Sequence, residues 1–280
     1  AVHYFDADKQ SHRVTGKTFI LAANGIESPK LLLMSASDKY PNGLANSSGM
    51  VGRNLMDHPS TSLTFDADEE LWLGPSSINT MRDGEFRSEH APYRLDFTNI
   101  SRVNGATDAL ITAGVYGAEF EKQLRHRAAF EMSLKDVLEV LPNPENRISL
   151  SDQKDKLGLP KPKVNYAIDE YTRKGAARSH QDFARIAEMM GATNLRYSAE
   201  GSFANNQHIT GTMSMGNDPK TSVCDSYGRT HDHDNLFICS TGVMPTSATM
   251  NSTLTAAALT LRTAQHILPN RIIATEQGRG

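Results

Sequence analysis

The chain has 280 residues, 38% of them hydrophobic and 22% charged, with a net charge of -3. That length allows about two domains with cores of normal depth. The composition excludes a basic nucleic-acid binder, and no apolar run reaches the roughly 18 residues of a membrane span. The two cysteines, Cys224 and Cys239, lack CxxC spacing, so no zinc or iron–sulfur site is expected; two buried free thiols are favoured over a disulfide between them.

In chain order, Val2 to Asp8 and His12 to Ala23 read as extended segments around a polar turn at Asp8–Ser11. The second ends in the apolar run Phe19–Ala23, as a buried strand would. Ser28 then suits a helix N-cap, and Pro29 suits the first helical position, where its missing N–H costs nothing. A turn-rich junction, Gly49 to Pro59, marks a boundary near Pro59.

From Ser60 to about Asn205 the pattern is that of an antiparallel sheet with helices on one face, an α+β arrangement. Strands are expected at Ser62–Phe65, Tyr93–Phe97, Leu110–Val115, Phe130–Val140, Arg147–Leu150 and Lys163–Tyr166, with the polar stretch Arg82–Glu85 among the separators. A short charged helix is expected at Ala118–Arg127, with Phe120 and its charged neighbours on a solvated face. A long helix is expected at Asp169–Met190, where Ala176, Phe183, Ile186, Ala187 and Met190 form a stripe. Leu236–Cys239 then reads as a short buried strand. Asn251 or Ser252 caps a helix from about Thr253 to His266.

His231-Asp232-His233-Asp234 resembles a metal cluster, but it sits in a polar turn with no matching ligand pair, so no metal is expected. Asp57-His58 suggests a dyad; adjacent residues rarely face each other, so it reads as a junction motif near a bound group. No charged-then-apolar leader opens the chain. With Ala1 rather than Met at position 1, this leaves the compartment undecided.

The segment His208-Ile209-Thr210-Gly211-Thr212-Met213-Ser214-Met215-Gly216 carries the most information. With it go Pro245–Thr255, around Asn251, and the Val51–Leu55 and Asp57-His58-Pro59 stretches. Histidine titrates near neutral pH and suits a general base. An amide can donate to a substrate oxygen. Together these stretches resemble the C-terminal half of the glucose–methanol–choline (GMC) flavoprotein oxidoreductases. Among branches, the chain is most similar to bacterial sugar and sugar-acid dehydrogenases of the glucose and gluconate 2-dehydrogenase type.

The resemblance implies parts of a Rossmann-like FAD domain, α/β in class, at residues 1–59 and 206–280, around an antiparallel-sheet substrate domain at 60–205. FAD is the implied cofactor, with Ala23, Asn24, Gly242, Val243, Ser252 and Thr253 against it. Asn24 stands where the family usually has a glycine or another small residue. His208 is the implied base and Asn251 the substrate-orienting amide, where some relatives have histidine. A small-molecule alcohol, sugar or sugar acid is the implied substrate, its CH–OH group oxidised, with a possible electron-acceptor subunit as partner. The family's Gly-x-Gly-x-x-Gly unit is absent, and Gly278-Arg279-Gly280 does not supply it. The chain is therefore expected to be the C-terminal half of a longer protein, and by itself to bind FAD poorly and be inactive. An O2-using oxidase, a non-redox lyase on the same scaffold and a non-catalytic remnant are the alternatives.

Overall fold

The computed structural model describes residues 1–71, 78–82, 87–98 and 103–268. Those residues form a mixed α/β structure with two buried clusters. The tail Gly278–Gly280 and most of the Arg82–Glu85 stretch lie outside the described residues.

The first extended segments become a hairpin, β1 (Val2–Phe5) against β2 (Ser11–Val14), followed by a separate strand β3 (Phe19–Leu21). The turn comes earlier than expected, because Asp6 rather than Asp8 anchors it: Asp6 Oδ1 accepts the Gln10 N–H at 2.8 Å. The Phe19–Ala23 run is also less buried than its composition suggests. Ile20 is 56% exposed, since β3 pairs on one edge only among the described residues.

Helix α1 (Glu27–Met34) begins before Ser28. Its cap is Asn24, whose Oδ1 accepts the Ile26 and Glu27 N–H groups at 2.9 and 2.8 Å, while Ser28 is buried in the first turn.

The central sheet is wholly antiparallel. It contains β4 (Ser62–Asp66), β5 (Ile78–Arg82), β6 (Tyr93–Thr98), β7 (Glu131–Leu138) and β10 (Thr193–Tyr197), in the order β10-β4-β7-β6-β5. Alternation puts Leu63, Phe65, Tyr93, Leu95, Leu134 and Leu138 on the face covered by α4 (Glu170–Met189). That helix lays Ala176, Phe183 and Ala187 into the same core. Asp169 caps it, accepting the Thr172 N–H at 2.7 Å. The opposite face of β6 and β7 carries Arg94, Asp96 and Lys135, with Asp96 and Lys135 directly paired.

One expected strand is wrong. Leu110–Val115 ends in helix α2 (Val103–Thr112), followed by α3 (Gly117–Phe130). Ala106 and Leu110 are the buried pair, four residues apart on one helical face, so the apolar run belongs to a helix of period 3.6. Strands β8 (Arg147–Lys154) and β9 (Pro160–Asn165) form their own hairpin outside the central sheet.

The second cluster joins distant parts of the chain. Strand β11 (Leu236–Ile238) pairs in parallel with β3, and Leu32, Val51, Met213, Val223, Cys224, Ile238 and Val243 pack around them. Helix α5 (Thr253–Ile267) closes the described chain. Both cysteines are free thiols, Cys224 buried and Cys239 partly so. Burial pushes the Cys224 thiol up to about 12.

Candidate active site

Two segments far apart in sequence run antiparallel and build the site. Met56 and Thr210 exchange backbone hydrogen bonds at 3.0 and 2.9 Å, and Ser60 and Ala204 do so at 2.9 Å each way. This places Asp57-His58 opposite Gln207-His208. The Asp57 carboxylate is buried between them. Its Oδ1 accepts the N–H of His58 at 2.7 Å and of His208 at 2.8 Å, and its Oδ2 accepts that of Gln207 at 3.3 Å. Gln207 has φ 58, a left-handed conformation unusual for a side-chain-bearing residue, and the Asp57 bond holds it there.

Gly211 explains the sharp path that follows. Its φ is 77, and a Cβ there would lie 1.9 Å from the Asn54 carbonyl oxygen. The close approach is to the Asn54 backbone.

The imidazoles of His58 and His208 meet edge-on, with Nδ1 to Nδ1 at 2.9 Å and ring planes at 76°. His58 is wholly buried, and its Nε2 lies 3.2 Å from the Ser247 carbonyl oxygen. Burial lowers the His58 pKa most, the Ser247 carbonyl opposes this, and the neighbouring His208 lowers it further. His208 is partly buried. Desolvation lowers its pKa most; Asp57 and Asp96 pull it up, and Arg94 and Lys135 push it down. Each influence from the two cations favours the neutral, basic ring.

The cations come from the site-facing side of the sheet. Arg94, 4% exposed, pairs with Asp96 at 2.7 and 3.0 Å and donates from Nη1 to Asn251 Oδ1 at 3.0 Å. Lys135 donates to Asn206 Oδ1, and Asn206 Nδ2 donates to the His58 carbonyl at 2.6 Å. Arg94 therefore touches Asn251 directly and acts on His208 through its charge.

Sequence reasoning passed over His58, Arg94, Asp96 and Lys135. The signal for Arg94 and Asp96 was available: they alternate with the core residues Tyr93 and Leu95. His58 was set aside because it does not face Asp57. Its partner lies 150 residues away, and Asp57 accepts only its backbone N–H.

Asn251 does not cap α5. Its oxygen goes to Arg94, Ser252 makes no side-chain cap bond, and Thr253 opens the helix exposed. The first-turn N–H groups thus lack a side-chain acceptor, and this end of a 15-residue helix suits an electron-rich group. Ala23 and Asn24 are exposed at the end of β3. Gly242 and Val243 lie in a buried turn, and a Cβ at Gly242 would meet Met213 Cε at 2.5 Å. The bare face of Gly242 is filled by protein. The donors at α5 and the open residues after β3 fit a flavin cofactor.

No group of three or more metal-ligating side chains occurs among the described residues. His231 bonds Ser222 at 2.8 Å, and Asp232 takes the Ser47 N–H at 3.0 Å, so this cluster ties loops together.

Residues 142–260 match the GMC oxidoreductase family. The fructose dehydrogenase large subunit of Gluconobacter japonicus is 47% identical, over 96% of this chain and 50% of that protein. Paromamine 6'-oxidase of Streptomyces fradiae is 31% identical, over 92% and 47%. 2-Methyl-1,2-propanediol dehydrogenase of Mycolicibacterium austroafricanum is 31% identical, over 91% and 48%. The chain spans about half the length of these curated relatives. Pyridoxine 4-oxidase from Mesorbium loti has a similar fold, with TM-score 0.67 and 20% identity over 95% of this chain and 54% of that structure.

Proposed function

Because this chain carries the C-terminal region of a GMC oxidoreductase, a family whose members bind FAD, we propose that it forms the substrate-facing part of an FAD-dependent sugar or polyol dehydrogenase. The observation that carries this reading is the Arg94 guanidinium that bonds the Asn251 amide and, by its charge, favours the neutral form of His208.

A bound flavin supplies the hydride acceptor for the substrate carbon. His208 takes the proton of the substrate hydroxyl. Asn251 orients that hydroxyl: Arg94 holds its oxygen, so its Nδ2 amide is the end that donates to the substrate oxygen. The backbone N–H groups of Ser252 and Thr253 would meet the flavin, and Ala23 and Asn24 would flank its adenosine. The sugar class rests on the fructose dehydrogenase relative. The name of that relative, a large subunit, supports assembly with a further subunit. No helix among the described residues is long and apolar enough to cross a membrane.

The test is His208→Ala in the flavin-loaded enzyme. Turnover of fructose or a related sugar with a dye acceptor should fall by about 10²–10⁴-fold while flavin content is unchanged. Undiminished turnover removes His208 from the reaction. Oxygen consumption in place of dye reduction would assign an oxidase instead.

A further inference from the structure

Proton bookkeeping around His58 leads further. The Ser247 carbonyl can only accept, so His58 Nε2, 3.2 Å away, carries a hydrogen. His58 is fully buried, and its ring meets the Ser247 carbonyl and the His208 imidazole, with the Ala248 backbone close by. A cationic ring there would face the desolvation cost, and among the described residues no carboxylate bonds the ring. His58 is therefore the neutral Nε2–H form, and its Nδ1 is a lone-pair acceptor. The Nδ1 of His208, 2.9 Å away, must then be the donor. A neutral imidazole has only one N–H. With Nδ1 of His208 protonated, its Nε2 keeps the lone pair.

We infer that His58 is a positioning residue that selects the tautomer of His208, reserving Nε2 as the proton-accepting atom. The chain of constraint runs from the Ser247 carbonyl, through His58, to His208. Asp57 fixes the spacing by holding the backbone N–H groups of both residues. The substrate O–H proton would pass to Nε2, leaving His208 as an imidazolium whose Nδ1–H still donates to His58. The hydrogen bond is present before and after transfer, so the pair needs no rearrangement. In the opposite arrangement, a protonated His58 would donate into His208 Nδ1 and place the remaining hydrogen on Nε2, abolishing the base. This inference rests on the proposed role of His208, but the tautomer itself is observable without catalysis.

The experiment uses the flavin-loaded enzyme and two variants. His58→Leu removes the acceptor. His58→Asn keeps one, because Oδ1 of Asn occupies the branch position of Nδ1. We expect H58L to lower kcat by about 10- to 100-fold with flavin content and KM little changed, the range typical of groups that orient a reacting side chain. H58N should recover to within about fivefold of the original, since the same acceptor geometry is restored. In parallel, ¹⁵N-histidine spectra of the unsubstituted enzyme at pH 8 should show His208 protonated at Nδ1 and bare at Nε2. Undiminished kcat in H58L, or a hydrogen found on His208 Nε2, overturns the inference. If H58L does not fold, the spectra alone decide. If H208A retains turnover while the spectra show the Nδ1–H form, the base assignment fails and the tautomer selection stands.

Discussion

Arg94 donates to Oδ1 of Asn251 at 3.0 Å, which fixes the orientation of a carboxamide that could otherwise present either end. A guanidinium has no acceptor, so the amide nitrogen is the end directed elsewhere. Asn251→Asp keeps the acceptor for Arg94 and replaces the donor with a charged oxygen. In the flavin-loaded enzyme N251D should lower kcat by about 10²-fold, comparable to losing one donor to a developing oxyanion. Steady-state dye reduction checks it, and a change in KM alone would assign Asn251 to binding only.

The pH profile follows from the charges around His208. Its pKa lies below the ordinary histidine value, chiefly through desolvation, so the neutral base persists into mildly acidic solution. The limb of kcat/KM governed by His208 should rise with pH, with its midpoint below the ordinary histidine value. Asp57 and Asp96 raise that pKa, whereas Arg94 and Lys135 lower it, and His58 is the neighbouring ring. Lys135→Gln removes one cation, eases protonation of His208 and should move the acidic limb to higher pH. A limb that stays in place or moves lower contradicts this field.

Asp136 sits on the other face of the sheet from Lys135 and is wholly buried. It accepts from Thr61 N at 2.5 Å, Thr61 Oγ1 at 2.6 Å and Ser179 Oγ at 2.5 Å. Desolvation outweighs these bonds and raises its pKa from 3.8 to about 6. The native state therefore holds a proton that the unfolded chain releases, and stability falls as pH rises from 3.8 to about 6. The loss is on the order of 3 kcal/mol. Asp136→Asn should raise Tm at pH 8, and its advantage should vanish near pH 4. Thermal melts at both values test this, and a D136N protein less stable at pH 8 would show that the ionised carboxyl contributes favourably.

Gly211 has no room for change. A methyl group would be forced into the Asn54 carbonyl at a backbone angle that disfavours side chains. Gly211→Ala should cost about 3 kcal/mol or more, the sum of strain and overpacking. A melting temperature within a degree or so of the original would show that the Asn54 and Gly211 segments separate easily.

Legibility in the sequence followed periodicity. Strands β4 and β6 alternate core and polar residues, and α4 carries a stripe, so each was visible in the letters. Leu110–Val115 misled because a short apolar run fits either period; only the four-residue spacing of Ala106 and Leu110 pointed to a helix. Strand β10 is exposed along its whole length and offered no alternation to read. At the site, His208 and Asn251 stood out by their motifs. The roles of His58 and Arg94 depend on pairings across 150 and 157 residues, which local pattern does not encode.

Strand β3 has as its parallel neighbour a strand made near the far end of the described chain: Phe19 aligns with Leu236. During synthesis, its open edge must wait until nearly everything between them has left the ribosome. So distant a pairing closes slowly and leaves the backbone edge of β3 that takes β11 unpaired meanwhile. Yield of soluble protein should therefore be governed less by the central sheet than by how long this early edge stays shielded from other nascent chains.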